Sequence, residues 1–107
     1  KVPKLIIKYE DLILNKKKIV YQILNFFEKE YNLKFSNINE KIDNILLTTE
    51  FEVMKKNEQQ HGFKEKVNNK LFFNIGKSKL WQKKLTISQI NLIENNFKKE
   101  MKKLNYL

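Results

Sequence analysis

Apolar residues recur at three- and four-residue spacing along most of the chain. Residues 15–31 place Ile19, Val20, Ile23, Leu24, Phe26, Phe27 and Tyr31 on one stripe, which predicts an amphipathic helix. Lys16, Lys17, Lys18, Glu28, Lys29 and Glu30 fill much of the remainder. Residues 38–47 repeat the pattern with Ile38, Ile42, Ile45 and Leu46, and Asn37 followed by Glu40 resembles a capping pair. Thr49 and Glu52 have the same spacing and predict a short helix through Lys56. Residues 57–71 are polar and aperiodic, which reads as a mobile loop. Gly76 separates that loop from a helical turn at 77–85. Thr86 with Gln89 then forms a capping box before a last helix, whose buried stripe is Ile90, Ile93, Phe97, Met101 and Leu104.

The amino-terminal end departs from this period. In Val2–Tyr9 the run Leu5, Ile6, Ile7 suits a buried strand, with Pro3 limiting its start. A lone strand cannot satisfy its own backbone groups, and no second strand is evident. The expectation is an α/β class: one strand at the start, followed by about four to five helices, cut from a larger body whose amino-terminal part is missing. The start at Lys1 fits that reading.

Composition adds a formal charge of +10 over 107 residues. Every basic residue is lysine, and arginine and alanine are absent. Lysine, asparagine and isoleucine share AT-rich codons, so genome bias accounts for the charge better than selection for nucleic acid. Bidentate base and phosphate contacts favour arginine. A basic helical module binding nucleic acid or a membrane surface ranks last among the functions considered. Cysteine is absent, which excludes disulfides and thiolate metal sites. His61 is the single histidine. No apolar run reaches the ~20 residues of a membrane span.

Four blocks follow in order: Tyr9-Glu10-Asp11-Leu12 after the apolar run; Thr49-Glu50-Phe51-Glu52-Val53-Met54-Lys55-Lys56-Asn57; Phe72-Phe73-Asn74-Ile75-Gly76 with Lys77-Ser78-Lys79-Leu80-Trp81; and Leu85-Thr86 before a helix ending at Leu104-Asn105-Tyr106. The series resembles the carboxy-terminal third of the cytosolic sulfotransferases over nearly the whole of residues 1–107. Phe-x-x-Met-Lys-Lys-Asn is its most specific part, supported by Gly76 and Trp81 at the family spacing.

The resemblance implies a segment of a P-loop-like sulfotransferase fold, cytoplasmic like its relatives. Such an enzyme moves a sulfuryl group from 3′-phosphoadenosine 5′-phosphosulfate (PAPS) to a hydroxyl or amine acceptor. It implies that Tyr9 lies near the adenine, that Thr49, Phe51 and Met54 line the adenine pocket, and that Phe72, Asn74, Ile75 and Gly76 approach the 3′-phosphate. An aromatic platform suits a base, since stacking is worth roughly 1–3 kcal/mol in comparable sites. Glycine admits close approach of backbone N–H groups to an anion, and the next helical turn offers a positive dipole end.

The sequence also departs from the family. Asn74 and Ile75 stand where the family has arginine and lysine, so two charge-assisted contacts are lost; Lys77 or Lys79 are the replacements at hand. Lys79 holds the family's second glycine position, and Gln82 follows Trp81. In the family's pairing stretch, Gln82, Thr86, Ile87 and Asn91 keep the threonine and apolar elements but not the charged ends, which leaves a homodimer as an expectation in weakened form. The family's catalytic lysine and histidine lie upstream, so no catalytic or metal-binding residue is assigned here, and His61 is not that histidine. A sulfotransferase-like domain that has lost catalysis or its donor is the alternative. Taken singly, Tyr9, Phe51, Met54 and Trp81 read as packing residues, and their order in the series raises the binding role.

Overall fold

A computed structural model describes residues 2–65, 68 and 70–107. The described residues hold six helices: α1 (Tyr9–Leu14), α2 (Lys16–Tyr31), α3 (Ile38–Thr48), α4 (Phe51–His61), α5 (Trp81–Lys84) and α6 (Ile87–Lys103). No strand occurs among them. Residues 2–8 lack regular structure, and Leu5 and Ile6 are exposed. The expected strand is therefore absent. An extended segment is a stable strand only beside another that takes up its N–H and C=O groups, and none lies beside it here.

Glu10 and Asp11 open α1, where carboxylates favour the positive end of a helix. Asn15 breaks the helix at φ −138°, and α2 begins at the next residue. Asn32 ends α2 in the left-handed conformation, φ 52°, which asparagine tolerates better than most side chains. The link to α3 is held by the Phe35 N–H donating to Glu28 Oε1 at 3.2 Å. Asn37 precedes α3 at φ 53°, and its side chain makes no cap hydrogen bond. The expected Asn37–Glu40 cap does not form, because that backbone turns the side chain away from the capping geometry. Thr49 likewise does not cap α4. It closes α3 instead, its hydroxyl donating back to the Ile45 carbonyl, and Glu50 precedes α4.

The core is thin. Ile19 and Val20 of α2 and Ile42 of α3 are its buried apolar residues among those described, and Ile42 is 1% exposed. Helix α2 packs against α1 and α3, and α3 against α4. The expected burial of the α6 stripe does not occur: no residue of α6 is buried, and Phe97 sits at a kink with φ −114°, ψ 18°. Among the described residues, no other helix packs against α6. An apolar groove lined by Trp81, Leu85, Ile90, Ile93 and Met101 joins it to α5. The Thr86–Gln89 capping box forms in both directions.

The far end of α6 returns to the start of the chain. Lys8 Nζ donates to the Asn105 carbonyl at 3.0 Å and lies 4.7 Å from the centre of the Tyr106 ring. The Tyr106 hydroxyl donates to Glu10 Oε2 at 3.2 Å. The radius of gyration is 17.4 Å, against roughly 13 Å for a compact chain of about 100 residues. Much apolar surface is consequently in water, Ile87, Leu92 and Phe97 included.

Candidate functional site

One half-open hollow of about 650 Å³ lies where the end of α3, the start of α4, α1 and the 72–76 segment converge. That volume is within the roughly 300–1,000 Å³ of small-molecule sites. Tyr9 opens α1 on one side. Thr49 closes α3, Phe51 opens α4, and Met54 follows one turn later. Phe72, Asn74, Ile75 and Gly76 form the facing wall. All eight sequence-predicted positions thus line one cavity. His61 lies outside it, exposed at the end of α4, and Lys77 and Lys79 do not line it either.

Helix α4 sets the geometry. It continues through His61, so residues 57–61 are helical where a loop was predicted. Lys66, Val67 and Asn69, also within the predicted loop, lie outside the described residues. A three- and four-residue spacing puts Phe51, Met54 and Glu58 on one face. Glu58 is 4% exposed. Its carboxylate accepts from the Phe72 N–H at 2.7 Å (Oε1) and from the Phe73 N–H at 2.9 Å (Oε2). A buried carboxylate needs such partners, since an unpaired one carries a large desolvation cost.

The wall opposite Phe51 has a second feature. Gly76 adopts φ +63°, and the Phe51 ring lies against it. Phe51 also meets Phe73 edge-on, with ring centres 6.3 Å apart, and Phe63, Phe72 and Phe73 continue the aromatic cluster. Of the five N–H groups at 72–76, two serve Glu58, and that of Asn74 donates to the Phe72 carbonyl at 3.0 Å. Among the described residues, the Ile75 and Gly76 N–H groups make no hydrogen bond. The expected helix dipole beyond Gly76 is not supplied. Residues 77–80 are not helical, Lys79 stands at φ +59°, and α5 is four residues long.

A cation at the rim of the hollow comes from an unexpected element. Lys16 lines the hollow, donating to the Thr49 carbonyl at 2.7 Å and to Glu50 Oε1 at 3.4 Å. Sequence reasoning missed Lys16 and Glu58. The first sits four residues after Leu12 and seven after Tyr9; Leu12 lines the same hollow. The second sits seven after Phe51 on one helix, so helical spacing marks it, whereas the break at Asn15 separates the first from Tyr9 and Leu12. Lys55 Nζ contributes a long contact of 3.4 Å to the Asn74 carbonyl and lies 5.8 Å from the Phe51 ring centre.

A second concavity at the start of α2 is lined by Lys16, Lys17, Lys18, Tyr21 and Asn39 among others. Lys17 there pairs with Asp43 at 3.1 Å. Among the described residues, no cluster of metal-ligating side chains occurs, and no helix is long and apolar enough to cross a membrane.

Compared with known protein families, residues 3–105 match the sulfotransferase domain. Comparison with curated proteins and with solved structures gave no match.

Proposed function

The chain belongs to the sulfotransferase domain family over residues 3–105, and on that membership we propose that it supplies the adenine and 3′-phosphate side of a PAPS-dependent sulfotransferase. The observation that carries the reading is the shared hollow. Tyr9, Thr49, Phe51, Met54 and the 72–76 segment are far apart in sequence yet line one cavity of nucleotide size.

The residues fit the base end of such a ligand. Phe51 offers an aromatic ring for a purine to stack on, Met54 and Tyr9 enclose it, and stacking of this kind is worth roughly 1–3 kcal/mol. The phosphate end has the Ile75 and Gly76 N–H groups in place of the family's arginine and lysine, and Lys16 adds a cation at the Thr49 rim of the same hollow. PAPS, when bound, supplies the activated sulfuryl group. The role of this chain is to seat the nucleotide and fix its orientation. Catalytic groups and most of the acceptor pocket belong, on this reading, to a larger P-loop-like body. The exposed apolar residues Leu5, Ile6, Ile87, Leu92 and Phe97 are the surface it would cover. Ile87, 79% exposed, is also the apolar element of the segment through which two copies would pair.

The test is transfer of labelled sulfate from PAPS by the full-length gene product across a panel of phenols, alcohols and amines. Turnover supports the reading; none, with adenosine 3′,5′-bisphosphate also failing to bind, defeats it. A second reading rests on Asn74 and Ile75: the fold is kept while the 3′-phosphate is no longer gripped. The double variant Asn74→Arg, Ile75→Lys should then bind the bisphosphate markedly more tightly than the wild type. Equal affinity would point instead to a cavity put to another use.

A further inference from the structure

We propose that Glu58 is a positioning residue: it clamps the 72–73 backbone onto α4 and thereby holds Gly76 against the Phe51 ring, shaping one wall of the hollow. Its consequence for nucleotide binding rests on the function proposed above; the clamp itself rests on geometry alone.

The 72–76 segment has no helix or strand to fix it. Its links to α4 are few. The Lys55–Asn74 contact is long, 3.4 Å, and exposed. The Phe51–Phe73 ring contact gives no register, because an edge-on pair tolerates sliding. The two bonds to Glu58, at 2.7 and 2.9 Å, are short, charge-assisted and directed. They fix two consecutive N–H groups on the two oxygens of one carboxylate. Glu58 is also the one buried charged residue among those described. Because Phe51, Met54 and Glu58 share a helix face, the clamp and the ring it serves are parts of one rigid element. Gly76 follows Phe73 by three residues, so releasing the clamp frees the glycine to leave the ring.

Glutamine cannot replace this group. Its amide has one acceptor oxygen, and its NH2 would face a backbone N–H, donor against donor. Alanine leaves both N–H groups unmet.

The test uses the full-length gene product carrying Glu58→Gln or Glu58→Ala, with Glu52→Gln, exposed on the same helix, as the control. In the wild type, the Phe72 and Phe73 amide protons should lie downfield, and the Gly76 α protons should show an upfield ring-current shift from Phe51. Both signatures should vanish in Glu58→Gln and persist in Glu52→Gln. Affinity for adenosine 3′,5′-bisphosphate should fall about tenfold in Glu58→Gln, the scale of one charge-assisted bond. Unmoved signatures in Glu58→Gln overturn the clamp. Moved signatures with unchanged nucleotide affinity overturn its role in the site. If the wild type binds no nucleotide but the signatures move as expected, the clamp is upheld and the sulfotransferase reading alone falls. Should neither variant fold, hydrogen exchange in the wild type decides: the Phe72 and Phe73 amides should be protected while that of Ile75 exchanges fast. Equal exchange at all three overturns the proposal.

Discussion

The Phe51 ring lies on the open face of Gly76: a Cβ built on that glycine would come under 3.0 Å from Cγ, Cδ2 and Cε2 of the ring. The contact joins the first residue of α4 to a segment more than twenty positions later and closes one side of the hollow. Glycine is required twice over, since its backbone also stands at φ +63°. In Gly76→Ala the methyl group cannot coexist with the ring, and left-handed backbone adds about 1–2 kcal/mol for a residue with a Cβ. The variant should lose about 2 kcal/mol or more of the local free energy that holds 72–76 in place. Calorimetric titration with adenosine 3′,5′-bisphosphate should show at least tenfold weaker binding, the ratio that 1.4 kcal/mol represents. Wild-type affinity in Gly76→Ala would mean that the ring and glycine are not part of the binding surface.

Lys79 presents the reverse case. By the resemblance in sequence it stands at the family's second glycine, and its backbone is left-handed at φ +59°. Its side chain is exposed, so little packing is lost on removal. Lys79→Gly relieves about 1–2 kcal/mol of backbone strain and gives back about 0.5–1 kcal/mol through the greater freedom of the unfolded chain. A net gain of up to about 1.5 kcal/mol in unfolding free energy is expected, read as a higher denaturant midpoint. A loss of stability would show that the lysine side chain contributes something its exposure does not reveal.

These two positions also mark how much of the molecule was legible in its sequence. The α2, α3 and α6 helices and the Thr86 capping box follow from local spacing, and the structure holds them nearly at the predicted bounds. The eight positions inferred from ordered motifs line one hollow, although no local rule links Tyr9 to Gly76. What local patterns did not give is what depends on distant neighbours. Among the described residues, the 2–8 segment has β-branched residues but no sheet to join, and the α6 stripe has the right period but no helix packed against it. Residues 57–61 are polar because they finish an exposed helix, not because they leave it. Glu58 reads as another polar residue in such a stretch. Only the folded chain shows that its partners are the Phe72 and Phe73 amides.

The closure between the two ends of the chain should be sensitive to alkali. The Tyr106 phenol is raised above its ordinary value of 10.0, first by loss of surrounding water, then by its bond to Glu10 and the negative charge of Glu10 and Asp11. Tyr106 is 46% exposed, so solvent screens these effects. A phenol whose folded value is raised contributes stability that is complete below its unfolded value and disappears as pH climbs through the folded one. Followed by the carbon resonance bearing the hydroxyl, Tyr106 should titrate above a free tyrosine, and Glu10→Gln should bring it back toward 10.0. Identical titration in both proteins would leave the Tyr106–Glu10 bond without a role in the closure.

Lys16 provides the remaining prediction, because it serves the rim of the hollow in two ways. Its ammonium bridges the start of α2 to the Thr49 carbonyl and to Glu50 Oε1, at the corner from which Phe51 enters the cavity. The pair is partly exposed, 25% for Lys16 and 61% for Glu50, so its contribution to stability should stay within about 1 kcal/mol. Its contribution to an anionic ligand should be larger. Asn74 and Ile75 bring no charge, which leaves Lys16 as the cation lining the hollow. Lys16→Met keeps the length and apolar stem while removing the charge. It should therefore bind adenosine 3′,5′-bisphosphate several-fold more weakly and flatten the salt dependence of binding, since screening acts on the charge that has gone. Adenosine, which has no phosphate, should bind both proteins alike. If the variant weakens adenosine as much as the bisphosphate, Lys16 shapes the corner around Thr49 and Glu50 without meeting a phosphate.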